Sequence, residues 1–297
     1  MVRPAPTSCR WAGSTSAATC WSTTWWSTVG TRRTRWPWSR PSPTASVADR
    51  ADGRKLPVTL RAVTFDLWNT LLTSVPGAVE LRSCFWREVI SERGIDVDDD
   101  LLAGTLAVLP TRFDEEWRAG RQYGPPEALA DCFAAFGDRV GEADKVALAA
   151  AFDEASYHLE VEPVAGAADA VGALAGAGLA VGIVSDTTLA TGRHLRHHLN
   201  RFGILRGIDF AAFSDEVGCY KPDPSIFRAA MHGLGVDDPS AVVHVGDLRR
   251  TDVAGARALG MGTVRFRGAI DDSEPGDEAD HVVDRLGELP DLLAARA

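Results

Sequence analysis

The sequence predicts an α/β fold in which a doubly wound parallel sheet carries an inserted helical domain. From residue 163 onward, apolar runs of strand length alternate with helical patterns, which is typical of βα units and a parallel sheet. One more strand pattern, residues 59–67, stands far upstream of these units. The roughly 90 residues between them have only helical patterns and are far too long for an ordinary crossover. We therefore assign the core to 56–73 and 163–297, and a helical cap to 74–162.

Within the inserted segment, helical patterns follow one another with clear breaks. Leu81, Phe85 and Val89 are spaced by four residues and share one helix face. Gly124-Pro125-Pro126 interrupts the pattern. The further helices are expected around 98–119, 126–137 and 142–160.

In the second part of the core, helices and strands alternate to the C-terminus. Pro224 is placed to occupy the first turn of a helix. The predicted strands are 179–184, 210–213, 241–245, 262–266 and a short one at 281–283. The predicted helices are 166–175, one containing Leu195 and Leu199, one beginning near Pro224, 252–259 and 286–295.

Residues 1–55 differ in composition from the rest of the chain. Six of the nine tryptophans lie there, with nine basic and two acidic side chains, and no hydrophobic period persists. An organellar transit peptide, a disordered binding arm and a stretch that is not selected protein sequence are the three interpretations. We favour the last, so that 1–55 is a disordered or non-native extension outside the fold.

Composition limits the partners of the protein. A formal charge of −10 argues against general affinity for nucleic acid or for anionic membranes. No stretch approaches the ~20 apolar residues of a spanning helix. Five scattered cysteines without a CxxC pair favour a reducing, cytoplasmic location. The oligomeric state is not encoded in any recognisable pattern.

Aspartate side chains follow two of the predicted core strands. Asp66 ends the first strand, Asp247 ends the 241–245 strand, and Asp252 comes five residues later. Because ligands of open α/β sheets bind at the carboxyl ends of strands, these carboxylates should converge. Facing carboxylates are costly unless a cation or a proton lies between them, and Mg²⁺ suits such an all-oxygen site. Asp252 taken alone also fits a simple helix N-terminal carboxylate.

Two further residues complete the set. Ser185 follows an apolar strand and could cradle an anion, although an ordinary helix N-cap explains it equally well. Lys221, in Lys-Pro-Asp-Pro, could place an ammonium against a phosphate. A plain surface lysine is less favoured there, because only Lys145 and Lys221 occur beyond residue 55.

Taken in order, these four stretches resemble the motifs of the haloacid dehalogenase-like (HAD) hydrolase superfamily, over roughly residues 60–290. Asp66 in FDLWNTL, Ser185 in IVSD, Lys221 in YKPDP and Gly246-Asp247 with Asp252 match motifs one to four. The inserted helices are similar to the family's α-helical cap.

The resemblance implies a mechanism. Asp66 would be a nucleophile that forms an aspartyl-phosphate, with a small phosphorylated molecule as substrate. Mg²⁺ would be held by Asp66, Asp247, Asp252 and the backbone carbonyl of Trp68. Thr70, Ser185 and Lys221 would bind the phosphoryl group.

Trp68 departs from the family pattern. Family phosphatases carry there a second aspartate that protonates the leaving oxygen, and an indole cannot do so. Asn69 replaces the usual glycine, a mild change because asparagine tolerates left-handed backbone. Family dehalogenases have an aromatic residue at the position of Trp68 but lack the first metal carboxylate, which is intact here as Asp247. We therefore favour a phosphatase, with a dehalogenase-like hydrolase or a catalytically impaired binding module as alternatives.

The substrate is not encoded in a recognisable signature. Four carboxyls could replace the missing acid, although each also fits a solvated surface charge: Asp186, Asp114, Glu115 and Glu116. Three aromatic residues could line the cleft, although we favour core positions for them: Trp86, Trp117 and Tyr123. Three histidines are expected on a helix surface rather than at a metal: His194, His197 and His198.

Overall fold

The computed structural model describes Leu56 and residues 59–297. The interpretations offered for residues 1–55 therefore lie outside the described residues. Among those described, no helix is both long and apolar enough to cross a bilayer.

A six-stranded parallel sheet forms the centre of the described chain. Its strand order is β5-β4-β1-β6-β7-β8. The strands are β1 (Ala62–Phe65), β4 (Ala180–Ser185), β5 (Phe210–Phe213), β6 (Val242–Gly246), β7 (Gly262–Phe266) and β8 (His281–Val283). The chain runs from β1 outward through β4 to β5, then crosses to β6 on the other side of β1. The order thus reverses beside β1, which is where open α/β sheets bind ligands.

Alternate strand residues build apolar layers on both faces of the sheet, as a doubly wound fold requires. In β6, Val243 and Val245 pack with residues of α6 (Ala167–Gly176), α7 (Gly192–Arg201) and α11 (Leu289–Leu293). Val242 packs on the opposite face with α9 (Pro224–Gly233) and α10 (Ala254–Leu259). The predicted α/β class is confirmed, and Pro224 begins α9 as expected.

Five helices lie between β1 and β4 and have an apolar core of their own. They are α1 (Ala78–Arg93), α2 (Asp99–Ala107), α3 (Leu109–Arg118), α4 (Pro125–Phe136) and α5 (Glu142–Tyr157). Trp86, Phe136 and Phe152 are fully buried at its centre. The indole of Trp86 donates to the carbonyl of Leu148, 2.8 Å away, so its predicted core position is correct.

The sequence did not reveal a small antiparallel sheet where the inserted helices join the core. It consists of β2 (Leu72–Ser74) and β3 (Val161–Pro163). Strands of three residues are too short to produce a recognisable alternation. The sheet brings the two ends of the inserted segment side by side.

Three predicted helices differ in detail. The pattern at 98–119 forms two helices, α2 and α3, separated at Val108. The pattern at 252–259 begins earlier, as a π-helix over Arg249–Val253 that continues into α10. The pattern at 286–295 forms short 3₁₀ turns around α11. A four-residue helix that was not predicted, α8 (Ser214–Val217), follows β5.

The expectation of a histidine-bearing helix surface was wrong for two of the three residues. On α7, His194 and His198 are fully buried. His198 bonds through Nε2 to the carbonyl of Ser156 in α5, 3.0 Å away. These rings therefore pack the inserted helices against α7, and within the described part of the chain no histidine joins a cluster with metal-binding geometry.

Candidate active site

Sheet register places Asp66 and Asp247 side by side. β1 and β6 are parallel neighbours in which Phe65 pairs with Val245. The backbone N–H of Asp66 donates to the Val245 carbonyl at 2.8 Å, which extends the pairing by one residue. Each aspartate then follows its strand at the same edge of the sheet, as the sequence predicted.

Asp252, which lies on the π-helix, is close to both Asp66 and Asp247. Carboxylate oxygens of Asp66, Asp247 and Asp252 lie within 4.8 Å of one another, and all three side chains are buried. Gly246 permits this approach, because a Cβ at that position would lie 2.3 Å from Cγ of Asp252. The fourth sequence motif thus needs its glycine for steric reasons.

Lys221 bridges two of these carboxylates. Its Nζ lies 2.5 Å from Oδ1 of Asp66 and 2.6 Å from Oδ1 of Asp252, with 3% of the lysine side chain exposed. A buried ammonium with two charge-assisted bonds is fixed in position. Lys221 is therefore a component of the site rather than a surface lysine.

Asp252 is oriented by a buried chain of hydrogen bonds that the sequence analysis missed. Nε2 of His244 lies 3.0 Å from Oδ1 of Asp252, and Nδ1 lies 2.9 Å from the hydroxyl of Thr64. The backbone N–H of Leu248 donates to Oδ2 of Asp252. Because a carboxylate only accepts, a neutral His244 carries its proton on Nε2 and accepts from Thr64. A histidine three residues before Asp247 is the only signal the sequence offered.

Burial and mutual repulsion shape the ionisation of the three acids. Burial raises the pKa of Asp66 to about 7, although Lys221 opposes the rise. Burial, together with Asp66 and Asp252, raises the pKa of Asp247 well above its ordinary value. For Asp252 the penalty of burial is exceeded by Lys221 and His244, which hold its pKa below the usual range. One ammonium does not compensate three buried carboxyl groups.

A divalent cation would compensate the excess negative charge of these carboxylates. The three clustered side chains offer only carboxylate oxygens, the donors that Mg²⁺ prefers. The raised pKa of Asp247 indicates where positive charge is lacking. The residues present therefore suit the Mg²⁺ site that the sequence predicts.

The turn after β1 presents the other residues of the first motif. Asn69 has a left-handed backbone with φ 59°, as its tolerance of that conformation predicts. Its Nδ2 also donates to Oδ2 of Asp247 at 3.3 Å. The hydroxyl of Thr70 and the indole N–H of Trp68 are buried without a hydrogen-bond partner among the described residues. Thr70 is thus an unsatisfied group beside the site, as a phosphate-binding role would require.

Ser185 is the last residue of β4, at the same edge of the sheet. It is fully buried, and its hydroxyl donates to the carbonyl of Asp186 at 3.3 Å. The structure therefore places Ser185 at the expected strand end, although its hydroxyl contacts neither Asp66 nor Lys221.

Asp186 connects the inserted helices to residues 218–223, the loop that carries Lys221 and is called the lysine loop below. Its Oδ2 accepts from Nε1 of Trp117 in α3 at 2.8 Å, and its Oδ1 accepts from the backbone N–H of Lys221 at 2.9 Å. Burial raises its pKa. Because both oxygens already have donors, Asp186 is poorly placed to replace the missing acid.

The other three candidate acids form ion pairs on α3. Asp114 pairs with Arg118, Glu115 with Arg112, and Glu116 with Arg112 and Arg121. A hydrogen bond from Arg121 lowers the pKa of Glu116. A carboxyl held in its ionised form is a poor proton donor, and none of the three is hydrogen-bonded to Asp66.

The two remaining aromatic candidates are buried, and Tyr123 belongs to the apolar core of the inserted helices as expected. Trp117 lines a cavity of about 390 Å³ between α3 and the lysine loop. Tyr123 bonds through its backbone to the hydroxyl of Tyr220, one residue before Lys221. Both residues therefore lie where the inserted helices meet the site.

Comparison with known proteins agrees with this geometry. The sequence profile of the haloacid dehalogenase-like hydrolase family matches residues 60–260. Glyceraldehyde 3-phosphate phosphatase of Methanopyrus kandleri is 41% identical over 99 residues, which are 32% of this chain and 42% of that protein. The chain thus spans less than half the length of that relative.

Two longer matches cover most of the described core. Phosphoglycolate phosphatase of Rhodospirillum rubrum is 31% identical over 211 residues, 69% of this chain and 78% of that protein. The crystal structure of a 2-haloacid dehalogenase from Pseudomonas syringae superposes with a TM-score of 0.62 at 23% identity, covering 80% of this chain and all of that one. The four motifs lie at one edge of the sheet, and the family profile matches most of the chain. This chain therefore belongs to the haloacid dehalogenase-like hydrolase family.

Proposed function

We propose that this protein is a Mg²⁺-dependent phosphatase that forms an aspartyl-phosphate on Asp66. One observation carries the proposal: Asp66 is held against Lys221 beside two further buried carboxylates, Asp247 and Asp252. That arrangement combines a nucleophile, a fixed cation for phosphoryl oxygens and a set of metal ligands. The phosphatases among the relatives support this choice of substrate class.

The residues divide the chemistry as follows. Lys221 contacts Oδ1 of Asp66, so we assign the attack on phosphorus to Oδ2. A bond forms between this oxygen and phosphorus while the bond to the leaving oxygen breaks, and water later cleaves the aspartyl-phosphate. Lys221, Thr70 and Ser185 hold the phosphoryl oxygens. Asp252, oriented by His244, keeps Lys221 in place.

Asp66, Asp247 and the backbone carbonyl of Trp68 would hold Mg²⁺, with Asp252 beside them. When bound, the cation would neutralise charge that develops on the transferring phosphoryl group. The unpaired charge of Asp247 and the all-oxygen donor set support this assignment.

Trp68 restricts the substrates we expect. General acid assistance is worth about 10²–10⁴ in rate, and no candidate acid replaces it in the described chain. We therefore propose small phosphorylated substrates with good leaving groups, such as acyl phosphates. The five inserted helices would cover the site as a cap over 74–162 and exclude water. We place this activity in the cytoplasm, in line with the cysteine pattern.

The test is phosphate release by the full-length protein from acetyl phosphate, p-nitrophenyl phosphate and ethyl phosphate, with Mg²⁺ and with EDTA. We expect Mg²⁺-dependent release that is fastest for acetyl phosphate and is abolished by Asp66→Asn. Absence of release from all three compounds, with Mg²⁺ present, would sink the proposal. Tight phosphate binding without turnover would instead identify a silenced binding module.

A dehalogenase-like hydrolase is the second candidate, and Trp68 is the observation that favours it. Displacement of halide at carbon needs no acid for the leaving group. Its signature would be halide release from 2-chloropropionate that persists in EDTA. The intact Asp247 makes this the weaker candidate, because without a cation it leaves like charges facing each other.

A further inference from the structure

The cavity beside Trp117 adjoins the lysine loop on the side of the inserted helices. It has a volume of about 390 Å³ and lies between the C-terminal end of α3 and residues 219–223. Lys221 belongs to its wall while its ammonium bonds to Asp66. The cavity and the proposed phosphoryl site are therefore joined through one residue.

Three of the four charged residues lining this cavity are already engaged. Arg118 pairs with Asp114 and Glu274, and Lys221 pairs with Asp66 and Asp252. The carboxylate of Asp223 accepts from the backbone N–H of Ser225 at the start of α9. These three side chains are therefore bonded to partners other than a ligand of this cavity.

Arg250 is the exception. It forms no ion pair within the described chain, and its Nη2 is buried without any hydrogen-bond partner there. A buried donor that lacks an acceptor costs about 1–3 kcal/mol, more when it is charged. The structure therefore holds an arginine with an unsatisfied buried donor at the wall of this cavity.

The orientation of Arg250 is fixed by Trp117. The guanidinium carbon lies 4.2 Å from the centre of the indole ring. The indole is itself held by its hydrogen bond to Asp186. A guanidinium whose flat face rests on an aromatic ring keeps its N–H edges for in-plane acceptors, which suits the two oxygens of a carboxylate or phosphate.

Arg250 is also close in sequence to two of the proposed metal ligands. It lies on the π-helix three residues after Asp247 and two before Asp252. One short helix therefore carries both Arg250 and Asp252, the carboxylate that bonds to Lys221.

We propose that Arg250, stacked on Trp117, binds a second anionic group of the substrate, a carboxylate or a second phosphate, at the end remote from the phosphoryl group that is transferred. This inference rests on the proposed phosphatase function and adds the substrate class: small phosphorylated molecules with a second negative charge. Arg250 is then a specificity-determining residue and takes no part in the chemical step.

Matched substrate pairs test the inference with the full-length protein. The carboxylate pair is 3-phosphoglycerate against glycerol 3-phosphate. The phosphate pair is propane-1,3-diol bisphosphate against 3-hydroxypropyl phosphate. We expect kcat/KM to favour the anionic member of at least one pair by about tenfold or more. Which pair shows the preference identifies the second anion.

Variants assign the preference to Arg250. Arg250→Gln should remove it and Arg250→Lys should retain part of it, because the charge remains. Arg118→Gln is the matched control: that arginine lines the same cavity but is already paired, so the preference should change by less than about twofold. Equal, measurable rates within both pairs in the wild type, or a preference that survives in Arg250→Gln, would overturn the inference.

Binding measured without turnover separates this inference from the proposed function. In an Asp66→Asn background, calorimetry should give tighter binding of the anionic member, and Arg250→Gln should abolish the difference. If the wild type releases no phosphate but this difference in affinity is present, the phosphatase proposal fails and the anion subsite stands. If phosphate is released without any difference in affinity, the subsite fails and the phosphatase stands.

Discussion

Trp117 of α3 donates its indole N–H to Asp186, which in turn accepts the backbone N–H of Lys221. A residue of the inserted helices is thus two hydrogen bonds away from the loop that carries the bridging ammonium. This connection makes the position of Lys221 depend on how the inserted helices pack against the core.

Replacing Trp117 with phenylalanine tests this connection. The variant keeps an aromatic ring but leaves Asp186 with one donor, so we expect the free energy of unfolding to fall by about 1–3 kcal/mol. Phosphate release should fall as well, because the Lys221 loop loses a support. The measurements are urea unfolding and the phosphatase assay.

Trp86→Phe is the matched control, since it loses a hydrogen bond to Leu148 inside the inserted helices. It should destabilise the protein without a comparable loss of kcat. Equal losses of kcat in both variants would contradict a specific role for Trp117.

Among the described residues, Lys221 is the only lysine or arginine whose side chain bonds to Asp66, Asp247 or Asp252. Lys221→Met leaves Asp66 and Asp252 unpaired, so we expect a loss of about 3–5 kcal/mol in the free energy of unfolding in EDTA. Mg²⁺ should restore part of this loss. The other lysine after residue 55, Lys145, pairs with the exposed Glu142, and Lys145→Met should cost less than about 1 kcal/mol. Similar losses for the two lysines in chemical denaturation would contradict this account.

The effect of replacing Asp247 on the stability of the protein should differ between samples with and without metal. Its carboxylate is destabilised by burial and by its neighbours. Asp247→Asn removes this repulsion and keeps an oxygen that can accept from Asn69, so stability in EDTA should be unchanged or higher. The same variant should lose the rise in melting temperature that Mg²⁺ gives the wild type, a rise that follows from binding the folded state alone. A Mg²⁺-induced rise that persists in Asp247→Asn, in melting curves with and without metal, would exclude Asp247 as a ligand.

Gly246 permits the close approach of Asp252 to the strand end. A Cβ there would lie 2.6 Å from Cβ and 2.3 Å from Cγ of Asp252, whose carboxylate is held by Lys221 and His244. Gly246→Ala should therefore destabilise the protein by about 1–3 kcal/mol, as overpacking does, and should lower phosphate release. In Gly172→Ala, within α6, the new methyl group meets nothing within 4 Å, and helix propensity favours alanine. Thermal unfolding of both variants checks the contrast, and a stable, active Gly246→Ala protein would refute it.

Acid stability should depend on Glu278, whose carboxylate bonds to Arg249 at the start of the π-helix. Glu278 accepts hydrogen bonds from Arg265, Arg249 and the backbone N–H of Ala279. These bonds outweigh the effect of burial and lower the pKa of Glu278 from its ordinary 4.5 to about 2. A lowered pKa in the folded state gives stability that is complete above about pH 4.5. That stability is lost as the pH falls toward 2.

Glu278→Gln should therefore be less stable than the wild type near pH 7, and the difference should shrink as the pH falls below 4.5. Urea midpoints measured between pH 7 and pH 3 test this. Glu142→Gln, at an exposed pair with Lys145, is the control. A difference that stays constant across this range would contradict the assignment.

Much of the fold could be read from the sequence because it depends on local patterns. The strands at 210–213, 262–266 and 281–283 match the prediction residue for residue. The two three-residue strands β2 and β3 could not be predicted, because their pairing joins residues about 90 positions apart. Burial of His194 and His198 was likewise missed, because it depends on the packing of α5 against α7.

The sequence by itself determined the α/β class, the insertion after β1 and the residues of the four motifs, since each follows from a local pattern. Only the tertiary structure decided which of those residues meet. It placed Asp66, Lys221, Asp247 and Asp252 in direct or close contact, left Ser185 bonded to its neighbour's carbonyl, and joined Trp117 to Asp186 and Arg250. Those contacts join side chains far apart along the chain, and no local spacing encodes the packing of one element on another.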